Sequence, residues 1–415
     1  MFISRVKLLS VIKNILLVLL SIIFVFLVVI LIDRIIFSQP FSYFSKKPIP
    51  IIFPPFSEEE FVSSDFRYTV KINSIGLRNR EVNIPKPENI FRIIVIGDSY
   101  TYGWGIEEEQ SWVRLIESML SVPRKKVEVI NMGKPGANLN DYLEIARIGI
   151  PILEPDLVIL ALLQGDDLFT FYLQKDSPRS VIQGIAYALF PNISKRVAQY
   201  LLIKKLSINS EDMFIPRNSA EKNISSAKNS ALEILSKLSE EKRKMFDSLD
   251  SQVRQYFLDG MLNPFLVYVA LEFPDFLLKM ITEEDFSKTQ EFNSAIQIIS
   301  KINEIGMVNK SKLIIFSVPQ SFYVNEHALK SAEKLGFKVD LEMLSSDKLD
   351  IPIIQISNHL KIPYVSITEE MREHKHSPTL FFPLDMHPTP EGHRLIAEHL
   401  APKIQKLLED IYRFR

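Results

Sequence analysis

From about residue 91, short apolar runs alternate with longer stretches that repeat their apolar positions every three to four residues. The runs FRIIVIG, VEVINM, DLVILALL, KLIIFSVP and PYVSI predict buried strands. The stretches SWVRLIESML, NLNDYLEIARIGI, DIPIIQISNHLKI and EGHRLIAEHLAPKIQKLLEDIY predict amphipathic helices. Strands that alternate with helices indicate an α/β fold, with a central parallel sheet covered by helices on both faces.

Two parts of the chain interrupt this alternation. Residues 38–90 begin with a proline-rich spacer and continue with DFRYTVKINSIGLRNREV, which predicts a hairpin-like lead-in with its turn at 73–76. Residues 169–310 are rich in Lys, Glu and Ser and mostly helical in pattern. We therefore predict one α/β domain, made of residues 91–168 and 311–415, that carries a large helical insertion at 169–310.

The N-terminus carries an apolar run, Ile15–Ile32, that only Ser21 interrupts. It meets the requirement of roughly 18 apolar residues for a membrane-spanning helix. Basic residues precede it, which predicts a cytoplasmic tail at 1–14, a transmembrane anchor at 15–37 and an extracytoplasmic remainder, in the periplasm or at the cell surface. A cleaved signal peptide is the alternative. We favour the anchor because no A-x-A-like cleavage site follows Ile32.

Composition narrows the chemistry. The 415 residues have a formal net charge of −1, which gives no support for a nucleic-acid partner. There is no cysteine, so disulfides, a thiol nucleophile and a thiolate metal site are excluded. His374 and His376 are close in sequence, but further spaced ligands are lacking. We expect no metal and no cofactor.

Ser99 follows the first predicted strand within GDSYTYGWG. Ligands of open parallel sheets bind at the carboxyl ends of the strands, which is where this serine lies. The next predicted helix begins some residues later, so nearby backbone N–H groups can face a developing negative charge. The alternative is that Asp98 and Ser99 form an ordinary strand-to-helix turn.

A serine hydroxyl needs a base to become a good nucleophile, and DMHPTPEGH near the C-terminus offers one. Thr389 is a favourable N-cap and Pro390 a favourable first helical residue, so His387 is expected on a short loop at a helix start. Asp385 lies two residues earlier and can orient the imidazole. The other histidines lie within predicted helices or polar stretches.

Four blocks of this sequence resemble the conserved blocks of the SGNH (GDSL-type) hydrolases. GDSYTYGWG resembles the first, NMGKPGANLND the second, LLQGDDL the third and DMHPTPEGH the last, in the family's order. The resemblance implies a flavodoxin-like three-layer α/β/α fold. It also implies that Ser99 is the nucleophile, His387 the general base and Asp385 its orienting acid. The backbone N–H groups of Ser99 and Gly136 would form part of the oxyanion hole.

The third block departs from the family pattern. Asp166 stands where the family has an asparagine whose amide donates to the oxyanion, and an ionised carboxylate only accepts hydrogen bonds. Asp166 can donate to the oxyanion if its carboxyl is held protonated. Alternatively, Gln164 supplies an amide as the donor. A third interpretation is that Asp166 and Asp167 simply cap a loop. In the last block, one residue separates Asp385 from His387, where many family members have two.

The leading hypothesis is a membrane-anchored serine esterase or O-acyltransferase that acts on an envelope glycan or lipid ester. Its implied partners are an acyl-ester or glycan substrate and the membrane, and the sequence does not identify any protein partners. The alternative is a catalytically weak binding or assembly protein of an envelope polysaccharide system, in which Asp166 has removed the oxyanion amide.

Overall fold

A computed structural model describes residues 5–35, 51–169, 189–190, 220–282 and 288–412. Residues 38–50 of the predicted spacer and residues 170–188, 191–219 and 283–287 of the predicted insertion lie outside the described residues. The strands are β1 Glu58–Val62, β2 Arg67–Lys71, β3 Ile90–Gly97, β4 Lys126–Gly133, β5 Leu157–Leu163, β6 Lys312–Val318 and β7 Tyr364–Ser366. The α-helices are α1 Arg5–Ile35, α2 Ser99–Tyr102, α3 Trp112–Met119, α4 Leu139–Leu153, α5 Asp166–Phe169, α6 Ala220–Lys237, α7 Glu240–Ser248, α8 Ser251–Asp259, α9 Pro264–Glu272, α10 Phe276–Thr282, α11 Gln290–Val308, α12 Ser321–Val324, α13 Glu326–Leu335, α14 Ile351–Leu360, α15 Thr368–Arg372 and α16 Pro390–Tyr412.

The chain divides into two compact units, and the first contains α1. This helix has the length and composition of a membrane span over Lys13–Ile35, features that a signal sequence shares. Its aliphatic side chains, such as those of Leu17 and Val18, are exposed. The predicted N-terminal apolar helix is thus confirmed, while anchoring and orientation stay predictions.

The second unit is built on a parallel sheet with the strand order β4-β3-β5-β6-β7. This is the order of flavodoxin-like doubly wound sheets, in which the first strand lies between the second and the third. The chain reverses direction across the sheet after β4, so the ends of β3 and β5 flank the switch point where ligands of such folds bind. The predicted α/β fold is confirmed.

Helices cover both faces of this sheet. α3 packs against α16, and α4 packs against α11. Right-handed crossovers put these pairs on opposite faces, because the strand order reverses after β4. The helix α11 falls within the predicted insertion at 169–310, yet it lies on the sheet as part of the layer that contains α4.

The lead-in contains an antiparallel hairpin of β1 and β2, whose turn lies at residues 63–66. The predicted turn at 73–76 exists, with Gly76 N donating to Asn73 O at 3.1 Å, but it does not join the paired strands. The predicted hairpin turn was therefore misplaced. The insertion holds the hairpin through Asn223, whose side-chain amide donates to the carbonyl of Glu60 at 2.8 Å.

Candidate active site

Ser99 is the first residue of the one-turn helix α2, so the helix begins at the serine and not several residues after it. Asp98 caps this turn by accepting a hydrogen bond from the backbone N–H of Tyr100 at 3.0 Å. Gly103 ends the turn with a positive φ of 82°, a conformation that glycine adopts without steric cost. A half-buried hydroxyl is thereby held at the carboxyl end of β3.

The loop after α2 is held by a buried arginine that sequence reasoning missed. The guanidinium of Arg78 donates to three backbone carbonyls, at 3.0 Å to Tyr102, 2.7 Å to Gly103 and 2.5 Å to Ile106. It also lies over the rings of Tyr68 and Tyr102, at 5.1 and 4.8 Å from their centroids. No spacing in the sequence connects Arg78, in the lead-in, to the loop that follows α2.

His387 lies on a tight loop that closes against the start of α16. Its backbone carbonyl accepts from Phe382 N at 2.9 Å, and Met386 N donates to Phe382 O at 3.1 Å. Thr389 caps the helix as predicted, because its hydroxyl accepts from Gly392 N at 3.2 Å. Met386 has a φ of +66°, which is strained for a non-glycine residue. This left-handed turn lets Asp385 and His387 face one another although only one residue separates them.

The structure brings the side chains of Ser99, His387 and Asp385 into one hydrogen-bonded series. Nε2 of His387 lies 2.7 Å from Oγ of Ser99, and Nδ1 lies 2.5 Å from Oδ1 of Asp385. Asp385 is buried, and the imidazole is 17% exposed. The ring of Tyr100 lies beneath the imidazole, with centroids 5.0 Å apart. This arrangement can move a proton from a serine hydroxyl to a fixed imidazole.

The charges around the imidazole favour its protonated form. Burial of the ring lowers the pKa of His387. The charge of Asp385, its hydrogen bond and the charge of Asp98 raise this pKa by more, so the net shift is upward. Asp98 is itself buried, and burial together with the nearby charge of Asp166 raises the pKa of Asp98 to about 7. Asp98 therefore acts both as the cap of α2 and as part of the electrostatic setting of His387.

The second loop of the site follows β4. Lys134 N donates to Gly97 O at 2.9 Å, which ties this loop to the turn that carries Ser99. Gly133 packs so closely that a Cβ atom there would lie 2.3 Å from Tyr102 N. Gly136, two residues after Lys134, is exposed and has a φ of +68°. The structure thus places Gly136 on the loop adjoining Ser99.

Asp166 and Asp167 begin α5 directly after β5 and differ in their surroundings. The Asp166 side chain is accessible to water, yet the surrounding protein restricts its hydration enough to raise its pKa, while His387 lowers it. Asp167 is buried, accepts from Leu163 N at 2.7 Å and contacts the Tyr142 hydroxyl at 2.8 Å. Burial raises the pKa of Asp167 well above its usual range. The loop-capping interpretation therefore fits Asp167, whereas Asp166 lies close enough to His387 and Asp98 to interact with them electrostatically.

No family model matches the chain, and no curated protein matches it. Several solved structures are similar to it at low identity. The esterase EstA from Pseudoalteromonas sp. is 10% identical with a TM-score of 0.38, covering 77% of this chain and 99% of that one. TesA is 9% identical with a TM-score of 0.35, covering 76% and 99%. A lipolytic protein of the G-D-S-L family from Veillonella parvula is 10% identical with a TM-score of 0.33, covering 75% and 97%.

The four sequence blocks meet at one edge of the sheet. The first three follow β3, β4 and β5, and the last precedes α16. With the strand order of the sheet, this placement decides the fold. The chain has a flavodoxin-like, doubly wound α/β fold, and its four blocks are similar to those of the SGNH hydrolases.

Gln164 does not supply an amide to the site, so the alternative in which it completes the oxyanion hole is wrong. Its side chain is fully buried, and its amide donates to Ser317 Oγ at 3.1 Å and Thr368 Oγ1 at 2.7 Å. Its carbonyl oxygen accepts from Gln320 N at 3.2 Å. Asp350 binds the same two hydroxyls, at 2.7 and 2.8 Å. Gln164 is thus part of a buried polar network behind the site.

The remaining histidines of the α/β domain lie apart from the hydrogen-bonded series of Ser99, His387 and Asp385. His393 is buried in α16, where its Nδ1 accepts from Trp112 N at 3.2 Å, and burial lowers the pKa of His393 to about 3. His374 and His376 are exposed. Across the ranges that the structure describes, no three His, Asp or Glu side chains cluster as metal ligands would.

Proposed function

We propose that this protein is a membrane-anchored serine esterase or O-acyltransferase in which Ser99 is the nucleophile, His387 the general base and Asp385 the acid that orients it. The observation that carries the proposal is the series of hydrogen bonds from Ser99 Oγ to His387 Nε2, at 2.7 Å, and from Nδ1 to Asp385, at 2.5 Å. A serine is activated in this way when the base beside it is itself fixed by a third group.

In the proposed reaction, His387 Nε2 takes the proton of Ser99 while Oγ attacks an acyl carbonyl. The tetrahedral intermediate places its negative charge near the backbone N–H groups of Ser99 and Gly136, which act as donors. His387 returns the proton to the leaving alcohol, and the acyl group stays on Ser99. Water then releases the acid, or a sugar hydroxyl takes over the acyl group; His387 is the base in either step.

We propose that Asp166 occupies the position of the third oxyanion donor, where it can donate only while its carboxyl is protonated. Two features support this assignment. Asp166 follows β5 at the switch point of the sheet, and restricted hydration raises the pKa of its carboxyl. A protonated carboxyl has one O–H to donate, as the usual amide has its N–H.

The proposed location follows from α1 and its flanking charges. Because Arg5, Lys7 and Lys13 precede the apolar run, we propose that the N-terminus lies in the cytoplasm and the α/β domain outside it. The substrates available there are acylated glycans and lipids of the cell envelope, and we propose one of these as the ester.

The test is labelling with a serine-reactive fluorophosphonate. We expect the wild type to be labelled and Ser99→Ala to be unlabelled. Ser118→Ala is the matched control, because Ser118 is exposed on α3 and its hydroxyl donates to Leu115 O within its own helix. If the wild type is not labelled while Ser99→Ala keeps the biological role, the enzyme proposal fails and the binding or assembly alternative stands.

A further inference from the structure

The tip of the β1–β2 hairpin contacts the loop that carries Asp385 and His387. One carboxylate oxygen of Asp65, Oδ2, accepts hydrogen bonds from the backbone N–H groups of Leu384 and Asp385, both at 2.7 Å. We propose that Asp65 is a positioning residue for the Asp385–His387 pair and acts through the backbone of their loop. The proposal rests on the proposed function, because the pair has a reaction to serve only if Ser99 is the nucleophile.

The hairpin turn holds Asp65 in place for this contact. Ser63 Oγ accepts from the backbone N–H groups of Asp65 and Phe66, at 3.1 and 3.2 Å. The Asp65 carboxyl is half-buried, and lost hydration raises its pKa, while the two N–H donors lower it. A carboxylate that accepts two backbone N–H groups makes stronger hydrogen bonds than a neutral acceptor. Asp65 therefore fixes the peptide groups on either side of Leu384.

A second contact of the hairpin tip reinforces the first. The ring of Phe66 packs against Phe382 of the histidine loop, with centroids 5.1 Å apart. Both rings contact Gly105 in the loop that follows α2, where a Cβ atom would lie 2.7 Å from Phe382 and 2.9 Å from Phe66. The hairpin tip thus lies where the loop after α2 adjoins the loop that carries Asp385 and His387. Displacement of the tip therefore changes the geometry of both loops.

The insertion holds the hairpin from its other side. Ser64 N donates to Met261 O at 2.7 Å, one residue away from Asp65. Together with the bond from Asn223 to Glu60, this contact links the helical insertion to the active site through the hairpin. The distance between Ser99 and His387 thereby depends on elements that contribute no side chain to the chemistry.

The imidazole is a useful reporter of this positioning because its titratable neighbours are known. They are Asp385 on its own loop, Asp98 at α2, Asp166 at α5 and His393 on α16, which is neutral. Loosening the loop moves Asp385 away from the imidazole, and the pKa of His387 should then fall, because Asp385 raises it. A purely structural effect of the substitution leaves this pKa unchanged in the folded protein.

The experiment compares Asp65→Ala, Asp65→Asn and the control Glu60→Gln in the full-length protein. Glu60 lies on the same hairpin, and its side chain pairs with Arg67 at 2.5 Å on the outer surface. For Asp65→Ala we expect kcat to fall by about 10- to 100-fold with a smaller change in KM, as for a displaced catalytic group. The acidic limb of the pH profile should move to lower pH. Asp65→Asn retains an oxygen acceptor and should restore most of kcat, and Glu60→Gln should match the wild type.

Amide hydrogen exchange provides a readout that needs no activity. Exchange at Leu384 and Asp385 should be faster in Asp65→Ala than in Asp65→Asn or the wild type. If Asp65→Ala is folded and keeps kcat, the acidic limb and the exchange rates, the positioning role is overturned while the proposed function stands. If the wild type itself is inactive, the proposed function fails, and the exchange rates with an NMR titration of His387 decide the role of Asp65.

Discussion

Nε2 of His387 lies 2.7 Å from Oγ of Ser99, although 288 positions separate the two residues in the chain. They meet because α2 follows β3, at the carboxyl edge of the sheet, and the loop before α16 closes over that same edge. The left-handed backbone of Met386 turns Asp385 toward the opposite nitrogen of the ring. The bonds of this loop thus hold the imidazole between an acid and an alcohol.

Replacing Asp385 by asparagine removes the charge that holds the imidazole and keeps the shape of the side chain. We expect kcat to fall by about 10³- to 10⁴-fold, because the wrong tautomer is favoured when a carboxylate no longer accepts the Nδ1 proton. Steady-state hydrolysis of an aryl ester measures the effect, and circular dichroism checks the fold. A loss smaller than tenfold would show that Asp385 does not orient the base.

The pH dependence of kcat/KM should report the raised pKa of His387. The base is active when unprotonated, so the rate is lost as the pH falls through this pKa, and the acidic limb should lie above about pH 6.5, the usual value for histidine. Asp98→Asn should move the limb to lower pH, because the Asp98 charge raises the pKa of His387. Asparagine is also a good N-cap, so α2 is expected to form in the variant. A limb that stays in place or moves upward would contradict this electrostatic role.

Asp166→Asn tests whether a protonated carboxyl is the oxyanion donor. An amide donates at every pH, whereas the carboxyl donates only below its pKa. The ratio of kcat/KM for Asp166→Asn to that of the wild type should therefore increase with pH, by up to the roughly 10²-fold that one oxyanion donor contributes. Parallel pH profiles for the two proteins would show that the proton on Asp166 has no part in the reaction.

Gln164→Ala separates a buried structural role from a catalytic one. The substitution leaves Gln320 N without its acceptor and removes one donor to the hydroxyls of Ser317 and Thr368, which keep their bonds to Asp350. The free energy of unfolding should fall by about 1–3 kcal/mol. Thermal unfolding measures this loss, and kcat per folded molecule should stay close to that of the wild type. The opposite result, a lower kcat with unchanged stability, would show that Gln164 takes part in the reaction.

The parallel sheet was predictable because its strands are short apolar runs between clear helical patterns. The hairpin turn was misplaced because β1 reads EEEFV, with glutamates in place of the usual strand formers, and turns the polar Glu59 inward. The start of α2 at Ser99 was missed because one helical turn is too short to show a period.

The site residues of the first and last blocks were predictable from their chemistry and local context. The residues that hold the loops of these blocks in place were not predictable. Arg78 and Asp65 act on backbone groups, and backbone groups leave no pattern in the side chains of the loops they hold. Asp65 meets Leu384 across 319 positions, a contact that depends on the finished fold. Gln164 shows the converse, since its residue type suited the oxyanion hole but its orientation follows from partners on β6 and α15.

The nucleophilic role of Ser99 is tested most directly by trapping the acyl-enzyme. The protein is mixed with a short-chain aryl ester and quenched in acid, and its intact mass and peptides are then measured. We predict one acyl group, on the peptide that contains Ser99, and none in Ser99→Ala. An acyl group on another residue, or its persistence in Ser99→Ala, would contradict the assignment of Ser99 as the nucleophile.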